Sequence, residues 1–524
     1  MKFSAIDFVV FFGYIFLIVT LGLWVSIEKK GHKKDSKDYF LASKALPWWA
    51  VGASLIASNI SAEQVIGMSG SGYVIGLAIA SYEWMAALTL ILVAKYFLPI
   101  LMEKGIYTMP QFLEIRFDKR LRTLLAVFWL LVYIFVNLTS VLYLGALAMR
   151  TIMGIPLWYG IIGLAVFSSL YTIYGGLKAV AWTDVVQVVV LIGGGLVTTV
   201  LALDAVAQTA GLNGCVNGFL ELIRQAPDKF DMILDRSNPN YDKLPGLGVL
   251  IGGMWIANLF YWGCNQYITQ RALAAKNIRE AQKGLAFAGY LKLLMPLIVV
   301  VPGIAAFVLK ANLVKPDEAY PWLLNAYVFT GLKGLAFAAL IAAIVSSLSS
   351  MVNSTATIFS VDIYKQIVKR DATESQMVKV GRIASAIAMI IAILVAPQLK
   401  TLDQAFQYIQ EFTGFVSPGI LCIFMFGLFW KKATANSALW AAILTIPLSW
   451  GFKVFWPSLP FMDRMGLIFL ILAALVIVIT LIEKKGDDPK AIKIGRKLFY
   501  TDTKFNIAAV GICAILAVLY TIFW

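Results

Sequence analysis

Pro47–Gly72 reads PWWAVGASLIASNISAEQVIGMSGSG. It is long and apolar enough to cross a bilayer, yet Ser58, Asn59, Ser61, Glu63 and Gln64 fall near its middle. A polar group left unsatisfied in hydrocarbon costs several kcal/mol, so these side chains must face protein, water or a ligand. Polar residues flanked by glycines predict an interrupted helix that lines a binding site at the membrane midplane.

The rest of the chain supports a membrane setting. Of 524 residues, 60% are hydrophobic and 14% charged, against about 45–50% and about 25% in soluble domains. The net charge of +15 comes mostly from short loops between apolar stretches, which is a topology signal; no aromatic-interleaved basic patch suggests nucleic acid as a partner. Cys264, Cys422 and Cys513 lie in apolar stretches and Cys215 in a long loop, with no CxxC and no disulfide framework. The single histidine, His32, sits in a lysine-rich loop and reads as solvated. Serine–histidine catalysis within the membrane and histidine-rich metal sites are thereby excluded, and the absence of GxGD or GxSxG within the spans argues against an enzyme. The first apolar stretch lacks a basic leader and a cleavage site, and reads as a retained helix.

About fourteen apolar spans can be marked, at roughly 6–26, 47–72, 77–103, 121–150, 155–174, 180–205, 246–270, 281–310, 331–362, 378–398, 403–430, 435–456, 462–483 and 504–524. The fold class is an all-α polytopic membrane protein. Clusters such as Lys29 to Lys44, Arg116 to Arg122, Arg271 to Lys283, Lys365 to Arg370, Lys431 with Lys432, and Lys484 to Lys490 all follow odd-numbered spans. By the positive-inside rule that side is the cytoplasm and both termini are outside. Ile56-Ala57-Ser58-Asn59 is echoed by Ile256-Ala257-Asn258, again mid-span. Each copy opens a run of five spans entered from opposite sides, the pattern of an inverted repeat.

Few ionisable groups lie deep in the spans: Glu63, Glu83, Asp184, Lys292 and Glu411. Such residues face cavities or one another, unless they snorkel to the interface. Gln64, Glu83, Asn258, Lys292 and Gln410 stand on five different spans; if they converge, they suit a polyhydroxylated neutral solute better than an amino acid, with Tyr82, Trp84, Tyr133, Tyr261, Trp262 and Phe406 as candidate stacking rings. The run Ser346-Ser347-Leu348-Ser349-Ser350 either permits close helix packing or contributes to a sodium site. A hard monovalent cation needs several neutral oxygens, and carbonyls freed by a break near Ala57–Ile60 together with the Ser346 and Ser347 hydroxyls would supply them, with Asp184 nearby.

Tyr171 to Gln187 (YTIYGGLKAVAWTDVVQ), Asn265 to Arg271 (NQYITQR) and Ser346 to Thr355 (SSLSSMVNST) resemble the signature of the sodium/solute symporter family. Ser61-Ala62-Glu63-Gln64, Ala80 to Trp84 and Phe406 to Glu411 resemble its bacterial sodium/galactose members. The resemblance implies an inverted 5+5, LeuT-like core. It divides the chain into a flanking helix and cytoplasmic loop (1–46), a first repeat (47–205), an outer loop (206–245) with no assigned role, a second repeat (246–430) and flanking helices (431–524). It also implies sodium-coupled inward symport of a hexose across a bacterial inner membrane, with Gln64, Glu83, Asn258, Lys292 and Gln410 holding the sugar and Asn59 contributing. Tyr261, backed by Trp262, would close the site inward, and Met68, Tyr133 and Phe406 would form the outer lid. Sodium, the only cofactor, would lie on the carbonyls of Ala57, Ile60 and Ala343 and the hydroxyls of Ser346 and Ser347, near Asp184. One departure is Ala86, where galactose carriers have a hydroxyl. Another neutral solute (myo-inositol, a nucleoside, an amino acid) or a sensor on a transporter scaffold are the alternatives, and a homo-oligomer is left open.

Overall fold

The computed structural model describes residues 3–27, 35–61, 63–401, 405–483 and 486–524. His32 and Lys29, Lys30, Lys33, Lys34, Lys484 and Lys485 of the basic loops lie outside the described residues. The described chain is helical throughout, without a strand; a lone bridge joins Leu46 to Ala275. Twelve helices among the described residues are long and apolar enough to cross a membrane. The expectation of about fourteen is not met as continuous helices, for a physical reason. The 47–72 and 403–430 stretches are each divided into shorter helices, the latter into Ala405–Gly414 and Ser417–Phe429.

Leu332–Val368 and Ile278–Val308 form the centre and are almost wholly buried. Ala5–Ser26, Ala435–Phe455, Phe461–Glu483 and Thr503–Ile522 are peripheral and turn apolar side chains such as Phe16, Trp450, Leu470 and Val510 outward. In water so much exposed hydrocarbon would drive aggregation; in lipid it is the required surface.

The opening stretch runs as a helix Trp48–Asn59, breaks at Ile60–Ser61, and resumes as a wide turn Glu63–Met68 and a helix Ser69–Val74. The break lies at the C-terminal edge of the expected one. Glycines bring this segment against Ile278–Val308. A Cβ on Gly303 would stand 2.1 Å from the Ser69 carbonyl oxygen, and one on Gly72 would stand 2.7 Å from that of Val300. Such close backbone approach is how helices associate where hydrophobicity cannot drive them together.

The second interrupted segment differs from expectation. Helix Gly253–Cys264 runs unbroken through Ile256–Asn258, and the Asn258 amide is accommodated within it by turning back to donate to the Met254 carbonyl (3.2 Å). The interruptions fall at Gly252 and at Asn265, whose extended backbone (φ −80°, ψ 127°) precedes helix Gln266–Leu273.

Loop arginines do more than set topology. Arg116 donates to the carbonyls of Gly427 (2.9 Å), Trp430 (3.0 Å) and Ala433 (3.0 Å), satisfying the end of Ser417–Phe429. The 206–245 loop also acquires a role. Lys229 donates to the Val74 carbonyl (2.5 Å) at the end of the interrupted segment and lies 4.5 Å over the Phe307 ring. Burial pushes its ammonium below the usual lysine range.

Candidate binding cavity and cation site

At the break of the first interrupted segment lies a cavity of ≈ 560 Å³ of empty space, its mouth included. Gln64, Glu83, Asn258, Lys292 and Gln410 all line it, joined by Asn59, Tyr261, Trp262, Met68 and Phe406. The five polar groups that were far apart in sequence therefore share one chamber. Lys292, from Ile278–Val308, reaches Glu83 of Ser81–Leu92 at 2.5 Å and the Asn59 side-chain oxygen, and its ammonium lies 5.3 Å from the Trp262 ring. The pair is buried, with side-chain exposures of 1% and 4%. Two opposite charges at this depth leave the cavity formally neutral, and neither snorkels to an interface.

Asn59 passes the contact on. Its amide donates to the Tyr261 hydroxyl (3.0 Å), which lies 2.5 Å from the Tyr267 hydroxyl. Gln64 is partly engaged in local structure: its Oε1 accepts from the Ser61 backbone N–H (3.2 Å) and hydroxyl (2.8 Å), capping the break. Its amide nitrogen remains the end suited to a ligand. Glu63 is separate from this group, accepting from the Ser140 hydroxyl at 2.6 Å. Ala86 lines the cavity, so the departure noted in sequence reaches the chamber itself.

Met68 and Phe406 are both buried beyond the break, where a Cβ on Gly67 would stand 2.7 Å from the Phe406 Cβ. Tyr133 does not join them. Expected in the outer lid, it instead donates to Asn265 Oδ1 (2.5 Å) and accepts from the Tyr267 N–H (3.3 Å). The break at Asn265 leaves the Tyr267 N–H, in the first turn of Gln266–Leu273, without a helical acceptor; the phenol oxygen accepts it while donating to the Asn265 side chain.

A second group of oxygens lies between Trp48–Asn59 and Leu332–Val368. The Ser347 hydroxyl donates to the Ser58 carbonyl (2.9 Å), and Asp184 accepts from Ser54 (2.5 Å) and Ser346 (2.5 Å). Ala57, Ile60 and Ala343 are buried in the same packing. The break leaves the Ala57 carbonyl without its helical donor, because the Ser61 N–H turns to the Asn59 carbonyl (2.9 Å) and to Gln64. Each serine that donates a proton keeps lone pairs for a cation. Sequence alone does not assign Arg271 to this region. Its guanidinium lies 3.7 Å from Asp184, donates to Ser54 (2.9 Å), and also holds Ser350 and the Tyr267 carbonyl. The one signal in the sequence is position: Arg271 ends the NQYITQR motif, but it also heads a basic loop cluster.

Comparison with known proteins decides the class. The profile of the sodium:solute symporter family matches residues 39–445. The chain belongs to the sodium:solute symporter family. This symporter is 56% identical to the "Sodium/glucose cotransporter" of Vibrio parahaemolyticus over 99% of its own length and 98% of the relative's. It is 34% identical to the "Sodium/myo-inositol cotransporter 2" of Oryctolagus cuniculus, covering 84% of this chain and 69% of that one. Its fold matches a substrate-bound, outward-open Na+-coupled sialic acid symporter with a TM-score of 0.80 at 24% identity, covering 92% and 98% of the two chains. The symporter is thus a multi-pass membrane transporter with a LeuT-like fold, not an enzyme.

Proposed function

We propose that this symporter carries a hexose, glucose or galactose, inward with sodium by alternating access. The observation that carries this reading is the Lys292–Glu83 pair at 2.5 Å in the cavity wall. With its ammonium already matched, the chamber presents hydrogen-bonding edges (Gln64, Asn258, Gln410) and aromatic faces (Tyr261, Trp262) but no net charge for a charged solute to meet. The name of the Vibrio relative supports glucose. Ala86, in the wall where galactose carriers have a hydroxyl, favours selectivity that differs between hexoses.

In this reading Gln64, Glu83, Asn258, Lys292 and Gln410 bind the sugar. Tyr261 with Trp262 closes it off on one side, and Met68 with Phe406 on the other. Tyr133 supports Tyr267 and Asn265 behind the inner closure. Sodium, as co-substrate, is held by the carbonyls of Ala57, Ile60 and Ala343 and the hydroxyls of Ser346 and Ser347, with Asp184 beside them. These groups come from the interrupted segment and from Leu332–Val368, so an ion there ties two elements together. It also stabilises the break at Ile60–Ser61 on which Gln64 stands, a coupling of order 1–3 kcal/mol. The repeats run over 47–205 and 246–430, and the basic loops face the cytoplasm of a bacterial cell, with both termini outside.

The test is uptake of radiolabelled galactose and glucose into proteoliposomes under an inward sodium gradient, with potassium as control. Sodium-dependent accumulation is expected, and Asn258→Ala and Gln410→Ala each raise the sugar KM about tenfold, as removal of about one hydrogen bond would. The sodium dependence of the wild type is retained in both variants. Unchanged sugar kinetics in both would rule out this cavity as the sugar site.

A further inference from the structure

On the lysine- and arginine-rich side of the bundle, a groove runs between Leu157–Gly175 and Glu374–Val395, with ≈ 910 Å³ of empty space, its open side included. Its walls are almost entirely hydrocarbon, from Val166, Leu170 and Ile173 on one helix and Met389, Ile390 and Ile393 on the other. Arg382 stands at one end. It lies about 12 Å along its helix from Glu374, deep for a cation in lipid.

The guanidinium is held in place but not neutralised. It lies 5.8 Å over the Tyr39 ring and 5.3 Å over the Tyr174 ring, and one amino group donates to the Tyr174 carbonyl at 3.3 Å. Its Nε is buried and finds no acceptor among the described residues, and none of the ion pairs among them includes it. Lys379, one turn toward the helix start, is exposed on the same helix face, and Lys178 begins the following helix beside Tyr174. A fixed cation with unused donors at the end of an apolar channel is complementary to a headgroup phosphate joined to an acyl chain.

We propose that this groove binds an anionic phospholipid, its phosphate on Arg382 and one acyl chain between Leu170 and Ile390. The occupant comes from the leaflet on the basic side of the protein. A free phosphate would leave the apolar walls unused, and a zwitterionic lipid would bring its own cation toward Lys379.

The full-length protein is placed in nanodiscs containing equal palmitoyl-oleoyl phosphatidylglycerol and phosphatidylcholine, extracted in mild detergent, and the retained lipid is read by native mass spectrometry. Wild type is expected to retain phosphatidylglycerol at least fivefold over phosphatidylcholine, without displacement by millimolar glycerol phosphate. Arg382→Gln loses that preference, Arg382→Lys keeps part of it, and Leu170→Trp, which fills the groove but leaves the cation, lowers retention of both lipids. The melting temperature of each variant checks folding. Equal retention of the two lipids by wild type, or displacement by glycerol phosphate, overturns the proposal; so does an undiminished preference in well-folded Arg382→Gln.

Discussion

Lys292 is a buried charge in the wall of the candidate cavity, and its partners explain how it is accommodated. Its charge is tolerated at 1% exposure because Glu83 and Asn59 meet it. Lys292→Met leaves the Glu83 carboxylate buried without its partner, which costs about 3–5 kcal/mol. The expected result is a clear fall in melting temperature and loss of sugar uptake. Adding Glu83→Gln removes the orphaned charge, so the double variant recovers most of the thermal stability while uptake stays lost. A double variant as unstable as the single one would show that the pair's destabilisation does not arise from the uncompensated charge. Asn258 is different: its amide is satisfied by the Met254 carbonyl of its own helix, so Asn258→Ala changes binding with little effect on melting.

At the scale of elements, the interrupted segment depends on close contact with Ile278–Val308. Gly303→Ala would place a methyl carbon 2.1 Å from the Ser69 carbonyl oxygen, and backbone has to move to relieve it. Overpacking of this kind costs about 1–3 kcal/mol. A lowered melting temperature together with slower sodium-driven uptake is expected, since Ser69 follows directly on the Glu63–Met68 turn. An unchanged melting temperature would mean the two helices are free to separate there. A second linkage runs through Arg271, which touches Ser54 and lies near Asp184 in the oxygen cluster and holds the Tyr267 carbonyl on the side of Tyr261. One side chain thus joins the oxygen cluster to the Tyr261–Tyr267 aromatic pair, two groups that the sequence separates by long stretches of chain.

For the whole molecule, the consequence is electrical. If one sodium enters with each neutral sugar, the cycle moves one charge, and a potential of −100 mV inside adds about 2.3 kcal/mol. At 1.4 kcal/mol per factor of ten, that raises the sugar accumulation ratio about fifty-fold over the same gradient without a potential. Proteoliposomes loaded with potassium and treated with valinomycin make the measurement. Accumulation indifferent to the potential would require a compensating charge movement and would exclude simple one-to-one symport.

Composition and hydropathy alone determined that the chain is an α-helical membrane protein, because no other open structure can satisfy its backbone in lipid. They also marked Gln64, Glu83, Asn258, Lys292 and Gln410, since polar groups are conspicuous where water is absent. The first break, at Ile60–Ser61, falls at the edge of the expected Ala57–Ile60, whereas the second interruptions fall at Gly252 and Asn265 and not at Ile256–Asn258. A polar side chain in a helix can bond to its own backbone, as Asn258 does, and local sequence does not say whether it will. Only the tertiary structure joined the five side chains in one cavity, moved Tyr133 from the lid to Asn265, and placed Arg271 beside Asp184. Those outcomes depend on which helices pack together, and pairing across separations of 87 and 132 positions is decided by three-dimensional packing rather than by any local pattern.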